Sequence, residues 1–289
     1  MSDKRLTKNE RREAAREAAR AAREKAQKRE RLLKWLVPTA VSVAIVTIVA
    51  IVATVIILNP PPPQSQNGPK NMASGGILFE GIDGEPTPVL TPAIPEGGTP
   101  TPTAYEEDGR AHIEAYVDFS CPACKAWEEA VGPTLLQLVA AGQATIEYHP
   151  VAILDHAYGA RYSTRSNNVG YCVAEYEPES FLPVMTQLFA LQPSEGTNGH
   201  SNDDLVRIVE SAGVENDDVK ECIRTEYFAP SVKSLTEYQT SLPNLRTATG
   251  FSTPTWVVNG ERFEGTPQEL LTRIESVITV DTETDTAAE

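Results

Sequence analysis

No charged residue occurs between Leu36 and Leu58, a run of 23 residues in a chain of 289. As a helix that run would be about 35 Å long, enough to cross a ~30 Å hydrocarbon layer. It also lacks the polar face that a core helix of a soluble domain keeps, and a Pro-rich stretch follows directly, which argues against that reading. It exceeds the usual length of a cleaved secretory signal, and no convincing small-residue cleavage site precedes Asn59, so an uncleaved signal anchor is expected. Other absences matter as well. No glycine-rich loop is suited to phosphate, no His-x-x-x-His pair to zinc, and no internal repeat is visible. The chain has only four cysteines and four histidines.

Charge divides at the apolar run. Residues 1–35 hold 13 Lys and Arg against 6 Asp and Glu, net +7, whereas everything beyond holds 12 against 34, net −22. Basic residues before the run, including Arg29, Arg31 and Lys34, place the N-terminus in the cytoplasm and the rest of the chain outside. The Ala-, Arg- and Glu-rich segment Glu10 to Lys34 lacks Gly and Pro and reads as a charged helix. It either lies on anionic lipid or only sets topology. The acidic remainder argues against nucleic-acid binding.

Residues 59–108 hold Pro60 to Pro63 in a row and further prolines at 69, 86, 88, 92, 95, 100 and 102. This composition predicts an extended, semi-rigid linker. One β-prone island within 75–83, Gly76 to Ile82, could be a first strand. From Ala111 to Phe119, Ile113, Ala115, Val117 and Phe119 alternate with polar residues, which is a strand. Ser120-Cys121-Pro122-Ala123-Cys124 follows, then a helical pattern with Trp127, Val131, Leu135 and Leu138 on one face, expected to kink or break at Gly132-Pro133. A second strand is predicted at Ala144 to Tyr148. Residues 155–245 read as mainly helical, Thr255 to Asn259 and Arg262-Phe263 as a strand pair, and Pro267 to Val277 as a last helix. Residues 281–289 form an acidic tail, expected to be loose.

The cysteines sort by spacing. Cys121 and Cys124 lie three apart at a helix start, where free N–H groups and the positive dipole end stabilise a thiolate on the first sulfur. The second, one turn on, can attack a mixed disulfide formed at the first. A zinc site, a static loop disulfide and a coincidental pair compete with this reading. Cys172 and Cys222 are isolated, 48 and 98 residues beyond Cys124, which does not suit a zinc ligand set. His112, His149, His156 and His200 are scattered, and none stands in a recognisable cysteine-protease context. Trp127 and Trp256 read as core and groove lining.

With strand, cysteine loop and helix in that order, the chain resembles the DsbA-like branch of the thioredoxin superfamily, especially membrane-tethered actinobacterial forms. The resemblance rests on Asp118 to Cys124, on Phe251-Ser252-Thr253-Pro254-Thr255-Trp256-Val257-Val258-Asn259-Gly260, and on the helical insertion, together spanning residues 111–280 within a domain drawn at 109–280. It implies an α/β thioredoxin fold with a helical insertion domain, preceded by a single transmembrane helix. It implies a cis bond at Thr253-Pro254, with Pro122, Ala123, Thr253 and Pro254 contacting substrate, and no cofactor beyond a redox-active Cys121–Cys124 disulfide. The same resemblance implies oxidation of unfolded, exported, Cys-containing polypeptides and reoxidation by a DsbB-type or VKOR-type membrane partner. A reductase or isomerase of the same fold, and a non-catalytic peptide-binding adaptor, stay open. Some actinobacterial relatives bridge the insertion, which would pair Cys172 with Cys222; two buried free thiols are the alternative. Two departures stand out. Pro122-Ala123 lacks the histidine many oxidising relatives carry, and the position six before Cys121, often a buried acid, is Ala115. Glu114 and Asp118 alternate onto the other strand face, so no buried carboxylate is expected to relay protons at the cysteines.

Overall fold

A computed structural model of the chain describes residues 8–58, 60, 62–105 and 108–285. They divide into two compact units, with the boundary between Pro61 and Pro62. The first is one helix, α1 (Lys8–Leu58), which includes Pro38. Its apolar stretch is long and hydrophobic enough to cross a membrane by length and composition. Within that stretch, the hydroxyls of Thr39, Thr47 and Thr54 each donate to the carbonyl four residues back, at 2.6, 2.8 and 2.7 Å. These three hydroxyls therefore do not depend on water for an acceptor.

The second unit is a six-stranded mixed sheet with helices on it, ordered β2-β1-β4-β3-β5-β6. The strands are β1 (Ile77–Ile82), β2 (Glu85–Pro88), β3 (Ala111–Val117), β4 (Ala144–Pro150), β5 (Thr255–Val258) and β6 (Glu261–Phe263). Only β3 and β4 run parallel, with Ile113 opposite Ile146. Their connection is α2 (Pro122–Ala140), the crossover helix a parallel pair requires. It buries Val131, Leu135 and Val139 against the sheet. The same burial carries α2 through Pro133 as one helix, so the break expected at Gly132-Pro133 does not occur. The β5–β6 turn uses Asn259 and Gly260, both at positive φ (48° and 77°), the pattern a tight hairpin demands.

Between β4 and β5 lie α3 (Tyr162–Tyr176), α4 (Phe181–Ala190), α5 (Asn202–Ser211), α6 (Asp217–Thr225) and α7 (Ala229–Ser241). This is the inserted helical region, entered through an irregular loop at 151–161. α5 begins with a reciprocal Ser201–Asp204 capping box, worth about 1 kcal/mol. A disulfide joins Cys172 of α3 to Cys222 of α6, with Cα atoms 5.8 Å apart. The final helix, α8 (Pro267–Asp285), continues well past Val277 and takes in the start of the tail expected to be loose; residues 286–289 lie outside the described residues.

The proline-rich linker corrects the sequence reading most. Its residues from Ser65 to Thr101 lie against the domain instead of standing free, and Met72, Ile77, Phe79 and Ile94 are buried in the core. β1 pairs antiparallel with β4, Phe79 opposite Ile146. Gly81 permits the contact, because a Cβ there would stand 2.1 Å from the Val139 carbonyl oxygen at the end of α2. Scattered side-chain and backbone hydrogen bonds then replace the ladder that prolines cannot supply. Asn71 donates to the Ala174 carbonyl (2.8 Å) and accepts from Thr91 N (3.1 Å), while the Ser65 N–H reaches the Tyr227 carbonyl (2.7 Å). On the face of β4 away from α2, Ser74 bonds the Glu147 carboxylate, and Gln239 of α7 bonds His149 (2.9 Å). Burial works against charge on both Glu147 and His149, but each holds the other ionised, the acid below and the imidazole above its ordinary range.

Candidate active site

Antiparallel pairing builds the site. Tyr116 near the end of β3 stands opposite Thr255 at the start of β5. The residues just beyond each strand end therefore meet at one edge of the sheet: Asp118 to Cys121 from one side, Ser252 to Pro254 from the other. The Thr253-Pro254 bond is cis. Thr253 O lies 3.5 Å from Cys121 Sγ. Two regions 132 residues apart in sequence thus share the space around one sulfur.

Cys121 caps α2. Its backbone is extended (φ −84°, ψ 117°), and its sulfur accepts from the Cys124 N–H at 3.4 Å. Pro122 follows, with a fixed φ suited to the first helical position and no N–H to satisfy. Both cysteines carry free thiols, and their settings differ. Cys121 keeps 6% of its surface and is flanked by exposed Pro122 and Ala123, whereas Cys124 keeps 1%. A hydrogen bond from the Cys124 thiol lowers the Cys121 pKa to about 6. Burial opposes this, while the Thr253 side chain and the N–H groups of Cys124 and Ala123 assist it. Burial, with the hydrogen bond and charge of Cys121, pushes Cys124 well up. At neutral pH the less buried sulfur is a thiolate and its neighbour a protonated thiol. Such a pair can form a mixed disulfide at the first sulfur and resolve it with the second.

Two desolvated carboxyl groups, neither expected, lie on the elements that carry the cysteines. Asp118 is fully buried at the turn before Cys121. Glu128, one turn beyond Cys124 on α2, accepts from the Tyr148 hydroxyl through Oε1, and Oε2 is sealed from solvent without a hydrogen-bond partner. Burial raises its pKa to about 7, against the Tyr148 bond. The alternation rule placed Glu114 correctly, near His149 on the other face. It failed for Asp118 because the strand ends at Val117 and the chain turns there. A signal was present in the spacing: Glu128 lies four residues after Cys124, on the same face of the helix. Trp127 and Trp256 stack beside the site with centroids 5.8 Å apart. Among the described residues, no group of His, Cys, Asp and Glu could hold a metal ion.

Residues 101–276 match the family model described as thioredoxin. Among solved structures, the chain is similar to oxidised DsbA of Mycobacterium tuberculosis, with 29% identity, a TM-score of 0.54, and coverage of 70% of this chain and 92% of that one. It is similar also to the reduced disulfide bond oxidoreductase DsbG of the same organism (32% identity, TM-score 0.50, coverage 62% and 85%). MdbA, a thiol-disulfide oxidoreductase from Corynebacterium diphtheriae, shares the fold at 14% identity (TM-score 0.54, coverage 76% and 97%). Comparison with curated protein sequences returns no match.

Proposed function

The chain belongs to the thioredoxin family, among the DsbA-type thiol-disulfide oxidoreductases, and from that we propose that Cys121 and Cys124 form a redox-active pair that oxidises thiols in exported polypeptides. A substrate thiolate attacks Cys121 Sγ of the enzyme disulfide, forming a mixed disulfide and releasing Cys124, which takes up a proton. A second substrate thiolate then attacks the substrate sulfur and expels Cys121 as a thiolate. Two substrate thiols become one disulfide, and the enzyme disulfide becomes a thiol and a thiolate. The observation that carries the oxidising direction is the setting of Cys121. A sulfur stable as a thiolate near pH 6 is a good leaving group, and this stabilises the reduced enzyme relative to its disulfide.

Thr253 and Pro254, with Pro122 and Ala123 across from them, would receive an extended stretch of substrate beside Cys121, Thr253 offering backbone groups. No further cofactor enters this scheme. Turnover requires a membrane oxidant of the DsbB or VKOR type to regenerate the disulfide. We place the chain as a single-pass membrane protein, with α1 as anchor, the N-terminus cytoplasmic and the catalytic unit outside; resistance to carbonate extraction and protease access in spheroplasts check this. The functional test is equilibration of the purified protein with glutathione, paired with acid trapping in cells. A protein found mostly as the disulfide supports the oxidase. A protein found mostly as the dithiol favours a reductase or isomerase. Cys124→Ala should accumulate mixed disulfides with exported proteins, and their complete absence favours a peptide-binding adaptor.

A further inference from the structure

The carbonyl groups leading into Cys121 are all engaged. Asp118 O accepts from the Cys121 N–H (2.9 Å), Phe119 O from the Gln192 side chain (2.9 Å), and Ser120 O from the Tyr158 hydroxyl (2.7 Å). Gln192 and Tyr158 both belong to the inserted region. The Asp118 carboxylate lies beneath the same turn and, among the described residues, makes no ion pair within 4 Å. Six hydrogen bonds hold it instead. Oδ1 accepts from Ser120 N (2.9 Å), Ser120 Oγ (2.7 Å) and Asn167 Nδ2 (3.1 Å). Oδ2 accepts from Ile153 N (3.0 Å), Leu154 N (3.2 Å) and Ser163 Oγ (2.6 Å). Four of the six donors sit in the loop and helix that open the insertion.

This arrangement does more than satisfy a buried acid. Both carboxylate oxygens meet fixed N–H donors, so the group bridges three pieces of backbone that no sheet ladder connects: the 118–121 turn, the 153–154 loop and α3. Thiolate stabilisation at Cys121 depends on its sulfur standing beside the Cys124 thiol and the N–H groups of Cys124 and Ala123 at the head of α2, and the turn fixes that placement. We propose that Asp118 is a positioning residue, fastened by Ser163 and Asn167, through which the helical insertion holds Cys121 over the head of α2. This rests on Cys121 being the reactive sulfur of the proposed function.

Thr164→Ala supplies the control. Thr164 is also at the start of α3 and also bonds the preceding loop, through Asp155 (2.9 Å from its N–H, 2.6 Å from its hydroxyl), but it does not touch Asp118. Full-length Ser163→Ala, Asn167→Ala and Thr164→Ala proteins in detergent are to be compared by thermal melting, by the pH midpoint of Cys121 alkylation with iodoacetamide read at the peptide level, and by equilibration with glutathione. Ser163→Ala and Asn167→Ala should raise the midpoint by about half a unit or more and make the enzyme a weaker oxidant, while Thr164→Ala loses similar stability and keeps the wild-type midpoint. A midpoint unchanged in the first two, or moved equally by all three, overturns the proposal. Should Asn167→Ala fail to fold, Ser163→Ala, which removes one bond to the Asp118 carboxylate, decides the matter against Thr164→Ala. The alkylation midpoint needs no turnover, so a protein inactive towards polypeptide thiols would sink the proposed function and leave this result readable.

Discussion

Acidity at Cys121 and at Glu128 gives opposite pH signatures. The Cys121 thiol falls from an ordinary 9.0 to about 6 in the folded, reduced protein. Its contribution to stability is fully present above the unfolded value and is lost as pH falls through about 6. The disulfide form has no such group. The melting temperature of the reduced protein should therefore gain on that of the oxidised protein as pH rises from 6 to 9, measured on samples held in reductant or oxidant. Glu128 runs the other way. Its carboxyl rises from 4.5 to about 7, so the folded state is favoured below the lower value and loses ground as pH rises through the upper one. At about 1.4 kcal/mol per unit this amounts to about 3 kcal/mol. Glu128→Gln should match the wild type in urea unfolding at pH 4 and exceed it by up to about 3 kcal/mol at pH 8.

At the scale of elements, the bridge between α3 and α6 closes a loop with a sequence separation of 50. The chain-entropy account assigns such a loop roughly 3 to 4 kcal/mol. A Cys172→Ser, Cys222→Ser double variant should lose about that much in denaturant unfolding and keep its helical content. Strand β3 and helix α2 were legible because each carries a local period, two in Ile113, Ala115 and Val117, and near 3.6 in Val131, Leu135 and Val139. The linker was not. Only Ile77 and Phe79 carry a strand period, in the island read as a possible first strand; Met72 and Ile94 follow none, and what holds the stretches around them comes from far along the chain: Ala174 on Asn71, Tyr227 on Ser65. The break expected at Pro133 failed for a related reason. Helix propensity is local, and burial against the sheet outweighs it.

For the whole molecule, the cysteine pair and the Thr253-Pro254 segment could be named from sequence because their residue types and neighbours are distinctive. The carboxylates could not. Whether Asp118 is exposed or sealed depends on where Ser163 and Asn167 arrive, 45 and 49 residues later. The apolar run of α1 was readable from composition alone, since no long-range partner is needed to make it hydrophobic. Deleting residues 36–58 should convert the protein from membrane-bound to soluble with its glutathione equilibrium unchanged, which fractionation and the same redox assay would check.

Because β1 lies between β2 and β4, anyone preparing a soluble fragment faces a choice the proline content disguises. Starting at Gly109, the domain boundary expected from sequence, would strip the neighbour from one edge of β4 and empty the sites of Ile77 and Phe79. The result would be a naked strand edge beside an apolar trough, the combination that drives chains to stick to one another. Starting ahead of Gln64 should give monomeric material, and light scattering of the two fragments would show the difference.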